Sequence, residues 1–261
     1  MPTNSAPAKG TQTEGAHTEV DASHKVREMF AQIAPRYDLL NHLLSLQLDR
    51  LWRKRVARQL RPILARSDAA VLDLCCGTGD LAFALAREGK ARVYGADFAH
   101  PMLVLAKQKN SVLSGDSSQP NANALPFLEA DALRLPFADC SFDLVTTAFG
   151  FRNLANYEAG LREIQRVLKP GGTIAILEFT EPPDSLLGGT YRWYFCKVLP
   201  RIGALISGDP SAYTYLPKSV ARFFRPPELA SLMAAVGYSS AEFKVWTFGT
   251  VALHTAVRPW E

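Results

Sequence analysis

Short apolar runs alternate with longer amphipathic stretches over most of this chain. The runs begin at Ala70, Arg92, Leu125, Phe142 and Thr173, and stretches with apolar positions three or four residues apart separate most of them. Strands that alternate with helices are typical of a parallel sheet covered by helices on both faces. The pattern therefore predicts an α/β domain.

The last part of the chain departs from this alternation. A helical pattern opens at Pro226 and ends near Gly237, and two strand patterns follow with only Gly249 and Thr250 between them. So short a connection does not allow a parallel crossover, which predicts an antiparallel hairpin. A doubly wound, mostly parallel seven-stranded sheet that ends in such a hairpin resembles the class I S-adenosylmethionine-dependent methyltransferase fold.

Three segments lie outside this pattern. Residues 1–24 are small and polar without apolar periodicity, so we predict a disordered tail. Residues 25–66 carry two helical patterns that Pro35 separates, and we expect a helical arm before the methyltransferase domain of residues 67–261. Residues 181–225 interrupt that domain with its most aromatic stretch, which predicts a helical insert or lid.

Composition limits the class of protein. The chain has 261 residues, of which 48% are apolar and 21% are charged, as in an ordinary globular protein. Its four cysteines form neither a CxxC pair nor a disulfide framework, and no apolar run is long enough to span a bilayer. The cysteine pattern predicts a reducing, cytoplasmic compartment. We expect no leader, because residues 1–24 lack the apolar region of a secretory signal and, unlike a mitochondrial presequence, contain acids and no arginine.

The strongest local motif is VLDLCCGTGD at residues 71–80, where the first strand turns into the first helix. Gly77 and Gly79 allow a sharp turn and the close approach of a ligand to the backbone. Their spacing also fits a dinucleotide fingerprint, so an NAD-dependent oxidoreductase stays an alternative at this point. Asp73 and Asp80 place carboxylates where a pyrophosphate would sit, which favours the cationic S-adenosylmethionine.

Two further acids end later strands. Asp97 closes the second strand, where it can accept ribose hydroxyls, and Asp131 closes the third, where it can accept an adenine amino hydrogen. Helix capping is the structural alternative for both. The fourth strand ends in AFGFRN, which lacks the motifs of base methyltransferases, so an RNA methyltransferase is supported only by a basic helix near residues 48–60.

A closer resemblance rests on motifs that run in order from residue 26 to the C-terminus. They include RYDxLN, LDLCCGTGD, LPFADCSFD, FGFRN, RVLKPGG and VLPRIGALIS. Together they resemble the ubiquinone/menaquinone biosynthesis C-methyltransferases, which methylate a ring carbon of a polyprenylated quinol with S-adenosylmethionine as co-substrate. Cys75 and Cys76 are similar to the menaquinone-only members and favour demethylmenaquinol; a methoxy-benzoquinol of ubiquinone synthesis is the alternative.

The resemblance also implies which residues bind the cofactor. Its contacts fall on Thr78, Asp97 and the neighbours Asp131 and Ala132, whereas Ala148 replaces a serine of some members and cannot donate a side-chain hydrogen bond. With the residues chosen from the glycine motif, the predicted cofactor-binding set is Asp73, Gly77, Thr78, Gly79, Asp97, Asp131 and Ala132.

Methyl transfer to a quinol carbon requires loss of the phenol proton and a cation that stabilises the phenolate. Arg152, after the fourth strand, is the candidate cation, with a surface ion pair as its alternative. Tyr37, Asp38 and Asn153 are candidates for polarising or relaying the proton, with the arm folded over the cofactor. No metal is expected, because the histidines show no ligand spacing.

The expected partners follow from a prenylated substrate. A basic helix, with Arg50, Arg53, Lys54, Arg55, Arg58 and Arg61, and the aromatic residues 181–225 are predicted to form an entrance that faces the inner side of the cell membrane. A solvated helix face is the simpler interpretation of the cations, and RNA is the third. We do not expect nucleic acid as a partner. We do expect a second copy of the chain as a partner, in a homo-oligomer.

Overall fold

Seven strands form one sheet. In chain order they are β1 (Ala70–Leu74), β2 (Arg92–Asp97), β3 (Phe127–Glu129), β4 (Phe142–Ala148), β5 (Leu168–Phe179), β6 (Ser239–Trp246) and β7 (Val251–Val257). The computed structural model describes residues 10–11, 16–38, 42, 45, 47–114, 125–181 and 211–260. The strand order is β3-β2-β1-β4-β5-β7-β6, and only the pairs that include β7 are antiparallel.

Helices cover both faces of this sheet. They are α1 (Glu19–Ile33), α2 (Leu48–Gln59), α3 (Arg61–Leu64), α4 (Asp80–Glu88), α5 (His100–Ser114), α6 (Tyr157–Val167), α7 (Ser211–Arg222) and α8 (Pro226–Val236). Successive strand residues face opposite sides, so Val71 packs with α2, α4 and α5, and Leu72 packs with α6 and α8. The predicted doubly wound fold is confirmed.

The predicted C-terminal hairpin is confirmed as well, with one difference. Strands β6 and β7 pair antiparallel from Ser239 opposite Val257 to Trp246 opposite Val251. Their connection contains four residues rather than the expected two, because a 3₁₀ turn at Thr247–Gly249 precedes Thr250.

The start of the chain differs from the prediction. Helix α1 begins at Glu19, and Thr18 caps it: the Asp21 backbone N–H donates to the Thr18 hydroxyl, and the Asp21 carboxylate accepts from the Thr18 N–H. The prediction of a disordered tail is therefore wrong for residues 19–24, whose acids belong to the first turn of a helix. Farther upstream, the Thr11 N–H donates to the Leu154 carbonyl at 2.7 Å.

The second helical pattern of the predicted arm is part of the sheet domain. Trp52, Val56 and Leu60 are buried in the same cluster as Val71. Residues 19–38, which precede α2, form the α1 segment. The apolar positions 39, 43 and 46, which supported the helical prediction, lie outside the described residues.

Of the predicted aromatic insert, the structure describes residue 181 and residues 211–225. Helix α7 lies there, and Phe223 after it packs edge-on against Tyr157 and Phe151 in the core. The Phe223 ring therefore belongs to the core and not to an exposed aromatic surface. In the part of the chain that the structure describes, no helix has the length and apolarity needed to cross a membrane.

Candidate cofactor and substrate site

A cavity opens at the carboxyl edge of the sheet, after β1, β2 and β4. It holds about 650 Å³ of empty volume, including its open mouth. Six of the predicted site residues line it: Tyr37, Gly77, Asp97, Asp131, Ala132 and Asn153. The remaining five, Asp38, Asp73, Thr78, Gly79 and Arg152, lie outside this lining.

The glycine turn, residues 77–80, exposes main-chain atoms at the cavity through Gly77. Gly77 and Gly79 have φ angles of +55° and +85°, which residues with side chains rarely adopt. A Cβ on Gly79 would also stand 2.9 Å from the Phe127 ring. On the other side, the Tyr37 ring lies 3.7 Å from the place of a Cβ on Gly77. The α1 segment therefore packs against the glycine turn.

Asp97 ends β2 and is only 6% exposed. Its Oδ2 accepts a hydrogen bond from the Gly77 N–H, and its Oδ1 accepts one from the Ala99 N–H, both at 2.8 Å. Burial raises the pKa of Asp97 to about 6. Each carboxylate oxygen has a second lone pair, so Asp97 can accept two more hydrogen bonds, as a ribose diol would donate them.

Asp131 and Ala132 line the cavity after β3. Asp131 is exposed and its Oδ1 accepts a hydrogen bond from the Leu133 N–H at 2.9 Å. Phe98 and Met102, which sequence analysis missed, add apolar surface to the same cavity. Their four-residue spacing directly after a strand-end acid is the signal that could have identified them. Acceptor carboxylates beside apolar surface suit a nucleoside.

Asp73 and Asp80, which were expected to repel a pyrophosphate, do not both present a free negative charge. Asp73 is 1% exposed, its Oδ1 accepts from the Thr146 hydroxyl at 3.0 Å, and burial raises its pKa to about 7. Asp80 lies 2.8 Å from Lys109 and 3.7 Å from Arg53. Although burial opposes it, these two cations hold the pKa of Asp80 below its usual value. The charge argument against a dinucleotide is therefore weak, because Asp80 is paired with cations and the raised pKa of Asp73 leaves that buried carboxyl only partly ionised near neutral pH.

Arg152 has a different environment from the one expected. Its guanidinium lies 2.8 Å from the Glu178 carboxylate, and the two side chains are 6% and 1% exposed. It also donates to the Phe149 carbonyl and packs over the Phe179 ring at 5.5 Å. Its charge is thus neutralised behind the cavity wall, and the surface-pair alternative is wrong because the pair is buried.

Tyr37 and Asn153 do reach the cavity. Asn153 is 8% exposed, and its Oδ1 accepts a hydrogen bond from the Tyr215 hydroxyl at 2.9 Å. The Tyr215 hydroxyl lies 2.9 Å from that of Thr11. Sequence analysis missed this connection, because Thr11 and Tyr215 are 204 residues apart.

Asp38 and Thr78 belong to a polar cluster beside the cavity. The Thr78 hydroxyl donates to Asp38 Oδ1 at 2.5 Å, and Thr78 is 2% exposed. Lys109 contacts both residues. These contacts tie the α1 segment to the glycine turn, and neither residue is part of the cavity lining.

His42, Asp49 and Asp80 bring ligand atoms within 4.8 Å of one another. Arg53 forms a buried ion pair with Asp49 and lies near Asp80, which Lys109 also contacts. These cations already balance the carboxylates, so the arrangement favours an ion-pair network over a metal site.

The comparisons with known sequences agree with one another. Residues 18–258 match the model of the ubiE/COQ5 methyltransferase family. The demethylmenaquinone methyltransferase of Thermus thermophilus is 49% identical over 232 residues, which are 88% of this chain and 100% of that protein. The ubiquinone/menaquinone biosynthesis C-methyltransferase UbiE of Geobacter sulfurreducens is 40% identical over 237 residues, 90% of this chain and 89% of that protein.

Solved structures show the same fold at low sequence identity. Phosphoethanolamine N-methyltransferase 2 of Haemonchus contortus, in complex with S-adenosylmethionine, gives a TM-score of 0.57 at 16% identity, over 80% of this chain and 53% of that one. An S-adenosylmethionine-dependent methyltransferase from Aquifex aeolicus gives 0.51 at 18% identity, over 80% of this chain and 97% of that one.

Proposed function

Because this chain belongs to the ubiE/COQ5 methyltransferase family, we propose that it methylates a ring carbon of demethylmenaquinol. It is an S-adenosylmethionine-dependent C-methyltransferase. The observation that carries the proposal is one cavity in which Asp97 and Asp131 face apolar side chains beside Tyr37 and Asn153. The relatives at 49% and 48% identity are both named for demethylmenaquinone, which favours this substrate.

The residues of the cavity fit S-adenosylmethionine, which supplies a methyl group on a positively charged sulfur. We assign Asp97 to the ribose hydroxyls, and Asp131 and Ala132 to the adenine edge. The backbone of the glycine turn, at the N-terminus of α4, suits the carboxylate of the amino-acid end. Phe98 and Met102 offer apolar surface to the adenine ring.

The rest of the cavity suits a flat aromatic quinol. Phe30, Phe149 and Leu154 contribute apolar surface, and Tyr37 and Asn153 contribute groups that can hydrogen-bond to quinol oxygens. Transfer of one phenol proton to solvent water raises the electron density of the adjacent ring carbon, and the hydrogen on that carbon leaves to water as a proton once the methyl group is attached. We assign Arg152 to positioning Phe149, because its charge is paired with Glu178.

The alternative substrate is the methoxy-benzoquinol of ubiquinone synthesis, since a relative at 40% identity is named for both pathways. The two candidate substrates are distinguished by incubating the protein with labelled S-adenosylmethionine and each short-tail quinol in turn. We expect a higher kcat/KM for demethylmenaquinol. A higher kcat/KM for the benzoquinol would make the benzoquinol the substrate. If neither quinol incorporated the label, both substrate assignments would be wrong.

We also propose that the enzyme acts in the cytoplasm, on the membrane surface. Leu51 of α2 is 57% exposed and Phe248 in the β6–β7 turn is 75% exposed. The two elements touch, because the Trp52 indole N–H donates to the Thr247 hydroxyl at 2.7 Å. Exposed cations of α2 surround Leu51: Arg50, Lys54, Arg55 and Arg58. Cations around protruding apolar residues suit an anionic bilayer.

This surface lies on the same edge of the sheet as the cavity. The β6–β7 turn follows Trp246, which pairs with Val251, and Val251 pairs with Phe179 at the carboxyl end of β5. Arg53 is not part of the surface, since it is 7% exposed and paired inside. The predicted basic helix is therefore partly structural and partly an exposed cationic face.

A further inference from the structure

Lys109 of α5 lies where three separate parts of the chain meet. Its Nζ is 2.6 Å from Asp38 Oδ2, 2.9 Å from Thr78 Oγ1 and 2.8 Å from Asp80 Oδ1. A lysine ammonium has three N–H bonds, so these three oxygens can use all of them. One cation on α5 thereby connects the α1 segment with the glycine turn, whose last residue, Asp80, is also the first residue of α4.

Asp38 completes this arrangement from the α1 segment. Its second oxygen accepts a hydrogen bond from the Thr78 hydroxyl at 2.5 Å. The side chains of Lys109, Asp38 and Asp80 are 29%, 28% and 25% exposed. Because they are mostly shielded from water, their attraction is screened less than that of an ordinary surface ion pair.

The α1 segment is attached to α5 at a second, apolar place. Phe30, Ala34 and Tyr37 pack in one cluster with Met102. Phe30 and Tyr37 also line the cavity, so the segment is one wall of the site. If Lys109 lost its charge, the apolar attachment would remain, but Asp38 and the glycine turn would no longer share a cation.

We propose that Lys109 is a positioning residue that holds Tyr37 and Asp38 on the glycine turn and thereby retains S-adenosylmethionine and its product, S-adenosylhomocysteine. It acts through Asp38 and Thr78, because it does not line the cavity. The inference rests on the proposed cofactor site and not on the identity of the quinol. It assigns Asp38 to the same positioning role rather than to proton relay.

The test compares Lys109→Met with Lys107→Met, which removes an exposed lysine from the same helix. Titration calorimetry with S-adenosylhomocysteine should show a dissociation constant about 10-fold to 100-fold higher for Lys109→Met, the loss expected for hydrogen bonds to charged groups. Lys107→Met should stay within about twofold of the unmodified protein. Lys109→Arg, which keeps the charge, should recover part of the affinity.

Hydrogen exchange supplies the readout that a general loss of stability would not give. Backbone amides of residues 30–38 should exchange faster in Lys109→Met, while those of β1 and β4 stay unchanged. Unchanged affinity, or unchanged exchange in residues 30–38, would overturn the proposal. If Lys109→Met does not fold, Asp38→Asn carries the same test, because it releases the same contact and leaves the Lys109 contact with Asp80. Failure of the quinol assignment would not alter any of these binding results.

Discussion

A Cβ on Gly150 would stand 2.4 Å from the Cβ of Cys75. The two residues follow different strands, β4 and β1, and both line the cavity. Cys75 has a φ of +54°, a conformation that glycine adopts more easily than cysteine. The turns after these two strands are thus fitted to each other, and a side chain at position 150 would separate them.

We therefore expect Gly150→Ala to lower the free energy of unfolding by about 1–3 kcal/mol through overpacking. It should also weaken S-adenosylhomocysteine binding, because both turns form the cavity wall. Cys75→Gly in the same chain should restore stability and binding, whereas Cys140→Gly, at an exposed cysteine with a φ of +55°, should not. Thermal unfolding and calorimetry test this, and a failure of Cys75→Gly to rescue would contradict it.

Ionisation of Asp97 is expected to control cofactor binding below neutral pH, because burial raises its pKa to about 6. The ionised carboxylate accepts hydrogen bonds and the protonated one donates, so affinity is full above that pKa and falls as the pH drops through it. The fall is at most about tenfold per pH unit. Calorimetry with S-adenosylhomocysteine from about pH 5 to 8 measures it.

The control for this prediction is Asp97→Asn. It should bind more weakly by about 1–3 kcal/mol and lose the part of the pH dependence that Asp97 causes. Burial raises the pKa of Asp73 to about 7, and the nearby charge of Asp97 adds to that rise, so Asp97→Asn lowers the Asp73 pKa. The same comparison in an Asp73→Asn background removes this second titration. A pH profile that is the same in both proteins would show that Asp97 does not contact the ligand.

The buried pair of Arg152 and Glu178 predicts a stability effect that turnover alone would not reveal. Arg152→Met leaves a buried, unpaired carboxylate and should cost about 3–5 kcal/mol of unfolding free energy. Combining it with Glu178→Gln should cost less than the sum of the two. If Arg152 only positions Phe149, the double variant keeps measurable turnover. Recovered stability and normal cofactor affinity with no turnover would instead favour the phenolate role predicted from the sequence.

The membrane surface is tested by vesicle binding. Phe248→Ser and Leu51→Ser should weaken binding to anionic phospholipid vesicles. Replacing Arg55 and Arg58 by Gln should weaken it further, by about 1 kcal/mol of binding free energy for each charge removed. Val112→Ser, at a residue 80% exposed on α5, is the matched control. Activity on a short-tail quinol should persist. Unchanged vesicle binding, or loss of RNA binding instead, would contradict the assignment.

Sequence periodicity was sufficient for the features that depend on local order. Asp97 and Asp131 could be placed at one sheet edge because parallel strands end on the same side, and Gly79 was identifiable from its turn. The same logic failed for Asp73, which lies one residue before the end of β1 and faces Thr146 in the core, because one residue of difference reverses the side on which a side chain lies.

Contacts between distant segments could not be predicted in this way. Arg152 meets Glu178, which lies 26 residues later on the neighbouring strand, so its paired state depends on sheet order. Lys109 gains its role from oxygens 29 to 71 residues away. The early start of α1 was missed for a different reason, because the cap formed by Thr18 and Asp21 was present in the sequence and carried no apolar signal.

The position of the transferred methyl group tests the central claim most directly. The protein is incubated with S-adenosylmethionine labelled with carbon-13 in its methyl group and with short-tail demethylmenaquinol, and the product is examined by NMR. We predict a labelled methyl on the ring carbon, with both quinol oxygens unmethylated. A label found on a phenolic oxygen, as a methyl ether, or no labelled quinol at all, would contradict the assignment.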